Sequence, residues 1–204
     1  EIAPSVAVAG PKLVQWGRTD FIDELGQSIT RLGATVELVH DELDQAQHDT
    51  LSDVLGVAPA GLLVRHRVWD ELGGFDAALP VVDDALDFSI RARLSGHRVQ
   101  VVPEARVAFA SEGVAGPAAA ITARARRTRT RHARTAQLHR RLAYAPGAVV
   151  ALHWLTLLPL AILRSVGHLL TKSPGSILGE FGAAFRVAFS GMRVSQARSS
   201  IART

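Results

Sequence analysis

Three carboxylates, Asp83, Asp84 and Asp87, crowd into the stretch LGGFDAALPVVDDALDFSIRARLSGHRVQVVP, residues 72–103. Carboxylates at that density support two kinds of chemistry. An Asp at a helix N-terminus accepts hydrogen bonds from free N–H groups and complements the helix dipole. A carboxylate at the mouth of a cleft can instead act as a general base, taking the proton of an acceptor hydroxyl as its oxygen attacks. Asp87 and Arg91 stand four residues apart, the spacing of an ion pair on one helix face, which marks them as structural. Asp83 and Asp84 remain as candidates for the base.

The elements that must position these groups follow from periodicity. GLLVRHRVWDEL (61–72) begins as a strand and turns helical, ending at Gly73 or Gly74, since either can adopt the positive φ common after a helix. Leu86, Ile90 and Leu94 recur at i, i+4 and i+8 and predict a helix with one apolar stripe. Gly96 ends it, and RVQVVP alternates as a strand into Pro103. Upstream, SVAVAGPKLVQ (5–15) reads as a buried strand stopping at Gly10–Pro11, with a short extended piece after it. Gly26 and Gly33 mark turns, and TVELV (35–39) an edge or hairpin strand. HDELDQAQHD (40–49) lacks apolar periodicity and reads as a solvated loop; its His and Asp spacing matches no compact metal motif. Strand, helix and strand in mixed order predict an α/β layer architecture.

The net charge of +4 conceals an asymmetry. Residues 1–112 carry 18 acidic and 9 basic side chains, whereas residues 113–204 carry 1 and 14. An acidic globular part joined to a basic, apolar tail fits a soluble domain held at an anionic surface. ITARARRTRTRHARTAQLHRR (121–141) has eight arginines, no acid and no aromatic residue, so it lacks a stacking platform and nucleic acid is not an expected partner. GAVVALHWLTLLPLAIL (147–163) follows, seventeen residues without formal charge, a length at the lower end for a membrane span and also that of a buried core helix. Arginines before such a run follow the positive-inside pattern and place the acidic part in the cytoplasm. ILGEFGAAFRVAFSGMRV (177–194) predicts an interfacial helix. Disulfides and thiolate metal sites are excluded, because the chain has no cysteine.

Taken in order, AVAGPKLVQW, ELDQAQHD, GLLVRHRVWDELGGFD, the acidic cluster and DFSIRARLSGHRVQVVPEARV resemble the acceptor half of a family-2 glycosyltransferase of the GT-A fold. The likeness covers about residues 5–110 and is similar in particular to large membrane-bound actinobacterial members. It implies that Asp84, or else Asp83, is the catalytic base of a Glu-Asp motif. Aligning Asp87 and Arg91 with the family's next Asp and Arg instead puts Asp84 on the Glu and Ala85 on the Asp. The implied reaction is an inverting transfer from a nucleotide-sugar donor to a glycan or polyprenyl-phosphate-linked acceptor. Its setting would be cell-envelope polysaccharide synthesis at the cytoplasmic face of the plasma membrane.

Asp44, Gln45, Gln47, His48 and Asp49, with Gly61 and Asp76, are the expected substrate contacts. Arg126, Arg127 and Arg129 are expected on a lipid or acceptor phosphate. A divalent cation (Mg or Mn) is expected in the full-length enzyme. Relatives place a His beyond the PEARV strand where this chain has Phe109, which cannot bind a metal, and the chain contains no Asp-x-Asp motif. The expectation is therefore that the metal ligands and the nucleotide-binding half precede Glu1, and that this piece alone is inactive. The expected organisation is an acceptor-side half-domain over 1–112, a basic linker or helix over 113–146 and membrane-associated helices over 147–204. The rival expectation is a non-catalytic membrane-docking scaffold built on the same fold.

Overall fold

The computed structural model describes residues 5–77, 79, 83–110, 123–170 and 177–202. Its spine is β1 (Val6–Gln15), a ten-residue strand that lies parallel to β7 (Arg98–Phe109) along its whole length. The other edge of β1 is shared. β6 (Leu63–Val64) pairs antiparallel with Val8 and Ala9, and β2 (Arg18–Glu24) pairs antiparallel with residues from Leu13 on. β5 (His40–Leu43) closes the sheet outside β2, while β3 (Gln27–Ile29) and β4 (Thr35–Glu37) form a separate antiparallel hairpin.

Three expectations are corrected here. β1 does not stop at Gly10–Pro11. The strand runs through it, because β7 accommodates the proline: Pro11 pairs with Val102 and Lys12 with Arg106, so Pro103, Glu104 and Ala105 bulge out between two regular ladders. The same bulge carries β7 past Pro103 to Phe109. The polar stretch from His40 is not a loop at its start but an edge strand, polar on both faces because both meet solvent.

The core lies between the sheet and two helices, α1 (His66–Leu72) and α2 (Asp84–Leu94). Val8, Ile22, Leu25, Val99 and Val101 of the sheet side meet Val68, Phe88 and Ala92 of the helices. The chain leaves α1 through Gly73 and Gly74, both with φ of 70°. α2 does not show one stripe: Ala85 through Ala92 are buried on every side, whereas Leu94 is exposed. The extra cover comes from the segment around Gly56, which lies against Leu86 and Ser89, and from Tyr144, just past the end of α3 (Ala123–Ala143), which donates to Asp87.

α3 also anchors a second core. Leu138 and Leu142 meet Leu157 and Ala161 of α5 (Leu157–Leu170), Ala183, Ala184 and Val187 of α6 (Ile177–Ala188), and Val194 of α7 (Gly191–Ile201). The single acid of the tail, Glu180, is buried here between Arg134 Nε at 2.9 Å and Arg164 Nε at 3.4 Å, tying three helices together. The span expected over 147–163 is divided into α4 (Gly147–Leu155) and α5, bent by 48°. Among the described residues no single helix is long and apolar enough to cross a membrane. The interfacial helix expected over 177–194 is likewise two helices, broken at Phe189–Ser190.

Candidate functional site around the start of helix α2

Asp83 occupies the N-cap position of α2, but its side chain caps no N–H. Its φ of 68° is left-handed, a region that costs a non-glycine residue on the order of 1 kcal/mol and persists only when neighbours enforce it. The enforcement is visible. Asp83 Oδ2 accepts hydrogen bonds from Arg140 Nη1 and from Thr35 Oγ1, both at 3.0 Å. Helix capping, the expected structural role for Asp83, is therefore replaced by an ion pair with α3.

Asp84 is the first residue of α2 and half-buried. Its Oδ1 accepts one hydrogen bond, from the Ala85 N–H at 2.8 Å, and it makes no ion pair among the described residues. Of the two neighbouring carboxylates, Asp83 is committed to a cation and Asp84 is not. Ala85 has no exposed surface, and a methyl group has no proton to exchange.

One helical turn further on, Asp87 Oδ2 accepts from Arg91 Nε at 2.9 Å, and both side chains are almost wholly buried. Arg91 spends its remaining donors on Leu72 O at 2.8 Å and Gly74 O at 2.7 Å, tying α2 to the end of α1. Asp87 Oδ1 accepts the Tyr144 hydroxyl at 2.6 Å. Asp76, an expected substrate contact, lies with its Oδ2 3.2 Å from Nε2 of buried His139.

The other expected substrate residues group elsewhere. Asp44 and Asp49 both bind Lys12 Nζ, at 3.0 and 2.6 Å, and Lys12 is buried on β1. Burial opposes a charge on Lys12, but its bonds to Asp49 and Asp44 outweigh that and raise its pKa. Burial likewise pushes Asp44 up, and Lys12 together with the Ala46 N–H reverses the sign and holds its carboxyl below the ordinary value. Gln47 bonds Glu42 and Leu43 O and accepts from the Gln45 N–H, while His48 Nε2 lies 3.1 Å from Glu42. This segment is knitted to itself and to Lys12. Gly61 has φ of 73°, and a Cβ there would meet Pro11 Cγ at 2.7 Å, so close packing on β1 accounts for the glycine.

Of the expected phosphate-binding arginines, Arg127 and Arg129 are exposed on the first turns of α3, and the side chain of Arg126 lies outside the described residues. No group of three His, Asp or Glu side chains able to hold a metal gathers among the described residues. The donor set among the described residues does not fit a divalent cation.

Sequence reasoning missed Arg140, His139, Tyr144 and Thr35. A signal existed for Arg140: it falls in the helical row Ala136, Arg140, Ala143, a charged group inside a stripe of small residues. A charge so placed is buried against a partner.

The comparisons agree with this architecture. Residues 3–151 match the family model described as glycosyltransferase like family 2. The match covers well over half of the chain, so this protein belongs to glycosyltransferase family 2. The matched stretch extends through α3 into α4. No curated protein and no solved structure matches the chain significantly.

Proposed function

We propose that the chain is the acceptor-side part of a GT-A glycosyltransferase in which Asp84 is the general base. Family-2 membership supports glycosyl transfer from a nucleotide-sugar to an acceptor in general. The single observation that carries the residue assignment is the contrast between neighbours: Asp83 is bound by Arg140 and Thr35, whereas Asp84, at the head of α2, keeps an oxygen without a partner among the described residues. In the proposed step an acceptor hydroxyl attacks the anomeric carbon, its proton passes to Asp84, and the nucleoside diphosphate leaves. The configuration at that carbon would invert. A divalent cation on the diphosphate would be held by residues outside those described.

The acceptor is proposed to be a glycan or polyprenyl-phosphate-linked species of cell-envelope polysaccharide, met at the cytoplasmic face of the membrane. Two features support a membrane setting. Leu152, Trp154, Leu155, Ile162, Leu163 and Leu170 of α4 and α5 are exposed apolar side chains, as at a membrane contact. Arg127 and Arg129 supply exposed positive charge that would meet anionic headgroups.

A second reading, a non-catalytic docking scaffold, is favoured by one observation: in the alternative register the base position falls on buried Ala85. Incubating the full-length protein with a panel of nucleotide-sugars and membrane lipid extract separates the two. Acceptor-dependent release of nucleoside diphosphate supports the enzyme, and its absence across the panel, with donor binding also absent, supports the scaffold.

A further inference from the structure

The C-terminal turn of α3 and the residue just after it reach across to α2 and the segment before it through three side chains. His139 meets Asp76, Arg140 meets Asp83, and Tyr144 meets Asp87. Arg140 is the centre of this grip, with no solvent exposure on its side chain. Its Nε and Nη2 donate to Gly33 O at 3.1 and 2.9 Å, Nη2 also to Thr35 Oγ1 at 2.8 Å, and Nη1 to Asp83 Oδ2 at 3.0 Å. The planar fork spans two elements at once, the β3–β4 turn and the start of α2, which the point charge of a lysine cannot do. Backbone contact reinforces it. Gly33, at φ of 75°, lies so close to α3 that a Cβ would meet Gln137 O at 2.6 Å and Arg141 N at 2.8 Å.

We propose that Arg140 is a positioning residue for transfer: by holding Asp83 in its left-handed backbone, it sets where α2 begins and hence where the Asp84 carboxylate stands. The inference rests on the reading of Asp84 as the base. It adds that the basic helix joining the α/β part to the apolar tail is a working part of the site. A buried guanidinium making four hydrogen bonds to three acceptors is costly to assemble and fixes one geometry, whereas a free Asp83 would relax out of its strained φ. A shift of about 1 Å in a reacting group costs roughly a hundredfold in rate.

The test compares full-length wild type with Arg140→Lys, Arg140→Met, Gly33→Ala and Arg140→Lys combined with Asp83→Asn. Steady-state transfer is measured beside amide exchange over residues 84–94 and thermal melting. The proposal expects kcat to fall about 10- to 100-fold in Arg140→Met, with donor KM within about threefold. Arg140→Lys is expected to recover part of the loss. Gly33→Ala should mimic the loss by pushing α3 away, and the double variant should match its worse single parent. Faster exchange in the first turn of α2 should accompany these changes, with the melting temperature shifted by only a few degrees. Wild-type kcat in well-folded Arg140→Met overturns the proposal while leaving the base assignment intact, and so does a loss that tracks melting alone in all variants. An inactive wild type overturns both readings together.

Discussion

Tyr144 donates its hydroxyl proton to Asp87 Oδ1 at 2.6 Å, and the other oxygen of that carboxylate holds Arg91 Nε at 2.9 Å. The pair joins the residue just after α3 to the middle of α2, across 57 positions of sequence. It also keeps a buried ion pair satisfied on both of its open sides. Burial first, and the Asp87 charge second, push the Tyr144 phenol well above its ordinary pKa, so it remains a donor.

Removing one partner of this network exposes its energetics. Asp87→Ala leaves the Arg91 guanidinium buried without its carboxylate and is expected to cost about 3–5 kcal/mol. Tyr144→Phe deletes one hydrogen bond to a charged group and is expected to cost about 1.5–3 kcal/mol. The raised phenol has a sign that can be checked. The stability it contributes is fully present below the unfolded value of 10.0 and is lost as pH rises above that. Chemical denaturation of wild type should weaken above about pH 10, and Tyr144→Phe should lack that limb.

Glu24, at the end of β2, gives a second pH signature. Its Oε1 is buried without a hydrogen-bond partner among the described residues, and burial, followed by repulsion from Glu37, raises its pKa from 4.5 to about 7. The unfolded chain therefore ionises first. Stability is highest below the unfolded value and falls as pH rises through the interval from 4.5 to about 7, by about 3 kcal/mol at most. Glu24→Gln removes the titrating group. Denaturation curves should show the variant more stable than wild type at pH 7.5 and equal to it near pH 4.

The membrane reading is tested by vesicle sedimentation of the full-length protein. Reversing Arg127 and Arg129 to Glu should weaken binding to anionic vesicles by about 1 kcal/mol per charge, or roughly fivefold each, and leave binding to neutral vesicles unchanged. Leu163→Glu, on the exposed face of α5, should weaken binding to both. Binding unchanged in all three would contradict a docking role for this face.

How much of this was legible in the sequence depends on whether a contact is local. The strand before Pro11, the helix from Asp84 and its stop near Gly96 were readable, because periodicity and turn residues are properties of neighbours. The spacing of Asp87 and Arg91 matches the ion pair seen at 2.9 Å for the same reason. The run of β1 through Pro11 was hidden, since it depends on a bulge in β7 some ninety positions away. A single apolar stripe ending at Leu94 assumes one packed face, whereas α2 is covered on a second face by the segment around Gly56, and Leu94 is exposed. At the candidate site, Asp83 and Asp84 were indistinguishable in sequence. What separates them is Arg140, and nothing in the residues around 83 announces a partner 57 positions later.

The central claim is that the Asp84 carboxylate takes the acceptor proton. Transfer kinetics of full-length Asp84→Asn, with folding checked by melting temperature, test it directly. The amide cannot accept the proton, so kcat should fall about 10²- to 10⁴-fold with donor affinity retained. Asp83→Asn, whose role is to hold α2, should lose less. Asp84→Asn that folds normally and transfers sugar at the wild-type rate would contradict the account.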